Sequence, residues 1–267
     1  MKLRRIVFAF IVICMLMGLL AGSFSHSLEA ALTVPLKIGT SRPTSTSSKM
    51  GPGGPVGTTK PTMPSTPTAG GVTILAQDTF KRANQVFWGT SSDGRQWTGD
   101  ANSIEVFSVV SGTGQIDQAQ GTFNAILGPT MTNAEVVFSG IVNQFAQGAT
   151  VNVGAVLRWT DANNWYKALI DGSKLQILRR VSGKTTSLGS FPLNAKGGTS
   201  YTLRFRAVGA SLFVKAWQSN QPEPNGWMLN VMDTALSKGS GGLRFLMQNG
   251  VVIKVTSFRE TTVAGMI

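Results

Sequence analysis

Residues 158–166 gather the side chains best suited to holding a small polar ligand. Arg158, Asp161, Asn163 and Asn164 carry charged or amide hydrogen-bonding groups, and Trp159, Trp165 and Tyr166 carry aromatic faces. An aromatic ring stacks on the apolar face of a pyranose while arginine and asparagine hydrogen-bond its hydroxyls. Such a pairing of apolar lining with a few placed polar groups is what a small-ligand site requires. Trp217 and Trp227 flank a Pro-Glu-Pro-Asn-Gly loop at 222–226 and form a second candidate set, with the loop as one rim of a cleft. The same aromatics serve equally well to fill the space between two packed sheets.

Other chemistry is excluded by what the chain lacks. The single Cys is Cys14 and the single His is His26, both close to the N-terminus. Beyond them a Ser-His-Asp triad, a Cys-His nucleophile and the usual His or Cys zinc sites are unavailable. Catalysis would rest on carboxylates, Tyr, Lys or an oxygen-bound metal. Glu105 and Glu135 are the best carboxylate pair, each within an expected strand, but no local spacing puts two carboxylates on one strand face. Arg204 and Arg206 share a strand face and offer an anion contact, or simply a solvated surface.

The elements that position these groups are strands. Val151, Val153, Ala155, Leu157 and Trp159 alternate with Asn152, Gly154, Val156 and Arg158, the period of a half-buried strand, which puts Arg158 on the face opposite Leu157 and Trp159. A polar loop follows, then strands at 165–170 and 174–181 around the Asp171-Gly172 turn signal. Ser182-Gly183 turns the chain into a fourth, weaker strand, completing a β-meander over 151–190. Further strands are expected at 104–110, 122–127, 133–142, 201–208 and 211–217. A last pair at 242–248 and 251–258 is joined by Asn249-Gly250, another hairpin dipeptide. No helix of any length is evident. Many short strands with polar turns and no fixed-period repeat predict an all-β, antiparallel two-sheet sandwich or jelly roll.

Upstream the composition changes twice. Lys2, Arg4 and Arg5 precede 17 uncharged residues at 6–22, so 1–30 reads as a signal peptide or an uncleaved signal anchor. Residues 33–70 hold 7 Pro, 14 Ser or Thr and 6 Gly among 38, with no aromatic, so 31–71 is expected to be a disordered linker. The domain is then 72–267. With no Cys in it, it must hold together by its core, which its size permits. Limited proteolysis should cut first within 33–70, and first cuts inside 72–267 would overturn this division. The formal charge of +12 divides as +2 for the leader region, +4 for the linker and +6 for the domain. Attraction to an anionic wall polymer or membrane surface follows from that charge alone.

Several segments are similar to one superfamily: Asp78-Thr79-Phe80, Trp88-Gly89 and Trp97; Gly154-Ala155-Val156-Leu157-Arg158; Thr160-Asp161; Asn164-Trp165-Tyr166; Tyr201-Thr202-Leu203-Arg204; Pro224, Trp227 and Gly239 through Gly242-Leu243-Arg244. Through them residues 76–261 resemble the concanavalin A-like lectin/glucanase superfamily, in its laminin G-like and bacterial surface branches. The resemblance implies two packed antiparallel sheets with one face open to sugars. The Glu-x-Asp-x-x-Glu of its catalytic members is missing, and no catalytic residue matches the related 3-keto-disaccharide hydrolases. Calcium, held by several branches, would draw on Asp78, Asp93 and Asp161, whose spacing is not that of a clustered loop site. No other cofactor is implied.

The expected function is an exported, non-catalytic carbohydrate-binding or adhesion module at the cell surface. Its partner would be a glycan or cell-wall polysaccharide, with membrane contact only through an uncleaved leader and no specific nucleic acid. A glycan-processing hydrolase and a structural envelope domain are the alternatives.

Overall fold

The alternation across 151–190 becomes four consecutive antiparallel strands in the computed structural model, which describes residues 71–146 and 150–263. The leader, Cys14, His26 and the linker up to residue 70 lie outside the described residues. The strands are β1 (Ile74–Asp78), β2 (Gln85–Val86), β3 (Thr98–Gly99), β4 (Phe107–Val110), β5 (Thr113–Ile116), β6 (Gly121–Ile126), β7 (Ala134–Val142) and β8 (Asn152–Asp161). They continue as β9 (Asn164–Ile170), β10 (Lys174–Val181), β11 (Lys184–Pro192), β12 (Ser200–Val208), β13 (Ser211–Gln218), β14 (Leu229–Met232), β15 (Ser240–Met247) and β16 (Ile253–Thr261). A 3-10 turn, Asp100–Asn102, follows β3. Among the described residues no helix is long and apolar enough to cross a membrane.

The strands form two antiparallel sheets. One runs β14-β13-β12-β7-β16-β5-β4-β2, with β1 also paired to β16, and the other runs β11-β10-β9-β8-β15-β6-β3. The domain is an all-β two-sheet sandwich of the jelly-roll kind. The meander β8 to β11 supplies four neighbouring strands of the seven-stranded sheet. Its turns use the positive φ that the sequence signals: Gly172 at 92°, Ser182 at 49° and Gly183 at 80°.

Alternation sends Val153, Ala155, Leu157, Tyr166, Ala168, Ile170, Phe245 and Leu243 inward. They meet Val136, Phe138, Leu203, Phe205 and Val214 of the other sheet. At one end Trp88 packs edge-to-face on Trp97 (4.9 Å), Phe80 (5.0 Å) and Phe107 (5.1 Å). Asp78, fully buried beside them, accepts from Trp97 Nε1 at 2.7 Å and from both guanidinium ends of Arg82.

Three local expectations are corrected. Asn249-Gly250 does not close a hairpin, because β15 pairs with β6 and β8 while β16 pairs with β7, β5 and β1. The turn carries the chain from one sheet to the other, and Asn143 at the end of β7 anchors it by accepting from Val252 N at 2.9 Å. Glu105 lies on an exposed turn ahead of β4 rather than within a strand. Arg158 leaves the alternation, because β8 bulges between Leu157 and Asp161. Its φ of 51° turns the side chain inward beside Leu157. Gly239 makes the bulge possible, since a Cβ there would fall on the Arg158 and Trp159 backbone.

Candidate ligand-binding face

The outer face of the seven-stranded sheet is built from the side chains that alternate with the core set. On β9 these are Trp165, Lys167 and Leu169; on β15, Arg244 and Leu246; on β10, Leu178 and Arg180; on β8, Asn152 and Gly154. Register sets one row as Asn124, Arg244, Gly154 and Leu169 on β6, β15, β8 and β9. Gly154 leaves a gap in that row. A Cβ there would come within 2.8 Å of Lys167 Cε, so the lysine chain folds into the space a side chain would fill.

Above this gap lies a depression of about 160 Å³. Its charged lining consists of Lys167, Arg180 and Arg244, with no carboxylate. Lys167 is only 3% exposed and donates from Nζ to Asn152 Oδ1 at 2.5 Å. Burial first, and then the Arg244 charge, hold its pKa well below the ordinary lysine value. The Arg244 guanidinium stands 4.8 Å from the Trp165 ring centroid and 5.8 Å from that of Trp159, within cation–π range of both. It donates to Asn124 Oδ1. Burial and Arg180 pull its pKa down to about 10, against the pull of Asp100. Asp100 is held one step back, accepting from Asn124 N at 2.8 Å and from its Nδ2 at 3.1 Å. Arg180 donates to Thr185 Oγ1 at 2.9 Å, while its buried Nε has no partner.

Trp159, partly exposed beside Arg244, also lines a second depression of about 480 Å³ with Thr98, Ile126, Thr130, Thr160 and Lys238. Arg244 of the first depression stands 5.8 Å from the ring centroid of Trp159 in the second.

The residues singled out in the sequence go to three places. Trp159 and Trp165 reach the outer face, but Trp165 is 3% exposed, covered by Arg244 and hydrogen-bonded from Nε1 to Ala162 O. Asp161, Asn163 and Asn164 structure the β8–β9 turn. Asp161 accepts from Asn163 N at 2.6 Å and from Asn164 Nδ2, and Asn164 Oδ1 accepts from Ser182 N. These bonds, led by Asn164, lower the Asp161 pKa. Arg158 and Tyr166 lie between the sheets. Arg158 donates to three backbone carbonyls, and the buried Tyr166 hydroxyl donates to Asp233 at 2.5 Å. Burial, with Asp233, pushes the Tyr166 pKa up to about 12.

Trp217 and Trp227 belong to the opposite side of the molecule, on the outer face of the nine-stranded sheet. The Trp227 ring lies 5.0 Å from the Arg206 guanidinium and 5.1 Å from Lys215 Nζ. A depression of about 390 Å³ on that sheet is lined by Arg204, Arg206, Arg259 and Glu135. Glu135 pairs there with both Arg204 and Arg206, and Glu223 pairs with Arg204 and Lys215. Its charges are therefore largely met within the protein. Two strands separate β7, which carries Glu135, from β4, about 14 Å of sheet, so Glu105 and Glu135 are not brought face to face. The three aspartates considered for calcium are each engaged by protein donors: Asp78 as above, Asp93 by Gln77 N and Ser91, and Asp161 by its own turn. Among the described residues no group of three or more His, Cys, Asp or Glu stands together.

Lys167, Arg180 and Arg244 were missed as a site. One signal was present: a lysine between Trp165 and Leu169 in a strand otherwise free of charge.

No family model matches the chain, and a search of curated proteins finds no match. Solved structures do match. GH43 BlXynB from Bacillus licheniformis superposes with a TM-score of 0.52 at 14% identity, over 70% of this chain and 39% of its own. Xylan β-1,4-xylosidase from Bacillus halodurans C-125 gives 0.51 at 14%, over 69% and 38%. The exoplasmic/lumenal domain of VIP36, in a Ca²⁺-bound form, gives 0.50 at 8%, over 69% of this chain and 91% of its own. The fold is that of the concanavalin A-like lectins and glucanases. This chain spans well under half the length of the two Bacillus chains, and at such identities the likeness speaks for the fold alone.

Proposed function

We propose that this concanavalin A-like domain is a non-catalytic carbohydrate-binding or adhesion module of an exported protein, and that it meets a glycan on the outer face of the seven-stranded sheet. The observation that carries this reading is the pair of depressions whose lining residues Trp159 and Arg244 stand within cation–π distance of each other. Trp159 offers an indole face for a sugar ring, and the arginines, Lys167 and Asn152 offer hydrogen-bonding groups for hydroxyls. One of the structures that share the fold, a xylan β-1,4-xylosidase, is named for action on a glycan. Hydrolysis in such a fold uses two carboxylates flanking the scissile bond, and neither depression is lined by one.

Screening the purified protein against an oligosaccharide array tests the reading. Trp159→Ala should then weaken binding about fivefold, the worth of roughly 1 kcal/mol of stacking, with the melting midpoint little changed. Absence of any glycan ligand, or binding indifferent to Trp159→Ala, would overturn it. Release of product from any bound oligosaccharide would replace it with the hydrolase reading.

A further inference from the structure

We propose that the cationic depression holds the carboxylate of an acidic sugar, a uronosyl residue, so that the glycan recognised is anionic. The inference rests on the glycan-binding reading above and adds the ligand's charge and the residues that read it.

Charge balance is the first argument. Lys167, Arg180 and Arg244 stand around one small space, and the nearest opposing charge, Asp100, reaches it only through Asn124. Gathering like charges in a partly buried place opposes folding unless something neutralises them. The opposite face of the sandwich shows the contrast: there Glu135 and Glu223 sit among the arginines. On this face the protein supplies no such partner, and a bound anion would.

Unused donors are the second argument. Lys167 Nζ has three N–H groups, and one of them is taken, by Asn152. Arg180 Nε is buried with no acceptor. Both residues line the depression of about 160 Å³, which has room for a small group and into which no carboxylate of the protein reaches. A carboxylate accepts through two oxygens in one plane, which suits an arginine fork beside a lysine.

The position of the cluster beside Trp159 is the third. A free inorganic anion has no use for a neighbouring indole, whereas a sugar ring bearing a carboxylate spans both. Sulfated sugars share the charge but not the planar geometry, and they form the comparison arm of the test.

The site also implies proton uptake. The groups facing Lys167 are Asn152 on β8, Arg180 on β10, Thr185 on β11, Thr122 on β6 and Arg244 on β15, with Asp100 behind Asn124. Burial among these groups, and then the Arg244 charge, draw the Lys167 pKa well below the ordinary lysine value. An anion favours its charged form, so binding should draw in a proton and weaken as pH rises.

The experiment is calorimetric titration of the full-length protein at ~150 mM salt, where long-range attraction is screened. Three ligands of matched length are compared: an oligouronate, the same oligomer after carboxyl reduction, and a sulfated oligosaccharide. The oligouronate should bind about tenfold or more tighter than its reduced form, with proton uptake seen as a dependence of heat on buffer. Lys167→Met should bring the two affinities within about twofold and abolish the uptake. Arg180→Gln, at a partly exposed position, should narrow the same ratio and serves if Lys167→Met does not fold. Equal binding of the charged and reduced oligomers would sink the inference and leave the glycan reading standing. Tighter binding of the sulfated ligand, or a ratio untouched by both substitutions, would also sink it. Binding of none of the three would remove both.

Discussion

Glu260→Gln should abolish a loss of stability that the native protein undergoes as pH rises from about 4.5 to about 8. Glu260 is fully buried on β16, beside Gly128 and Gly241, and neither carboxyl oxygen makes a hydrogen bond of good geometry. A Cβ on either glycine would fall on the carboxyl group, so a side chain at either place would have to displace it. Burial raises its pKa to about 8, against weaker pulls from Arg95 and the Gly241 backbone. Between the unfolded value of 4.5 and the folded value near 8, the folded state holds a proton that the unfolded state has released. Stability therefore falls with pH across that window and levels off above it. A shift of this size corresponds to at most about 5 kcal/mol. Lys167 acts with the opposite sign. Its lowered pKa makes stability rise with pH between that value and 10.5, but it is present in both proteins and cancels in their difference. Urea unfolding at pH 5 and pH 8.5 measures the effect. The native protein should lose several kcal/mol more than Glu260→Gln between these conditions. Parallel pH profiles for the two proteins would refute the assignment.

Arg158→Met should cost about 3–5 kcal/mol while leaving glycan affinity of the folded fraction unchanged. The guanidinium ties three separate segments by donating to Thr132 O at 3.0 and 3.2 Å, Leu236 O at 2.7 Å and Gly209 O at 2.5 Å. It also stands 5.9 Å from the Tyr166 ring centroid. Methionine keeps much of the packing volume and returns none of those bonds, so the carbonyls are left without their donor. The Tyr166–Asp233–Arg179 chain lies alongside, with Arg179 Nη1 donating to Asp233 at 2.7 Å, and would lose its neighbour. Denaturant midpoints compared with those of Arg180→Gln separate the two arginine roles: a strut in one case, a proposed ligand contact in the other. A cost below about 1 kcal/mol, or a parallel loss of glycan binding, would return Arg158 to the binding site.

The sequence by itself determined the fold class and the meander. In β8, β9 and β10 apolar residues recur at every second position, and Asp171-Gly172, Ser182-Gly183 and Gly209-Ala210 mark the places where φ turns positive. These are local properties, fixed by side-chain sterics within a few residues. The aromatic set Phe80, Trp88 and Trp97 was also legible as the entry to the domain, though its packing around Asp78 was not.

Tertiary structure decided what depends on which strands become neighbours. Asn249-Gly250 has the turn chemistry of a hairpin, yet a dipeptide sets only how the chain bends, and pairing with β6 and β8 or with β7 and β5 sent the flanking strands to different sheets. Arg158 was placed on the wrong face because the bulge that turns it inward arises where β8 meets β15 and Gly239. The cationic cluster was invisible for the same reason. Lys167 and Arg180 come from adjacent strands of the meander, but Arg244 is on β15, and only the insertion of β15 beside β8 brings it over Gly154. Charge spacing along the chain carries no record of that neighbourhood, since a sheet sets its contacts by strand order and register.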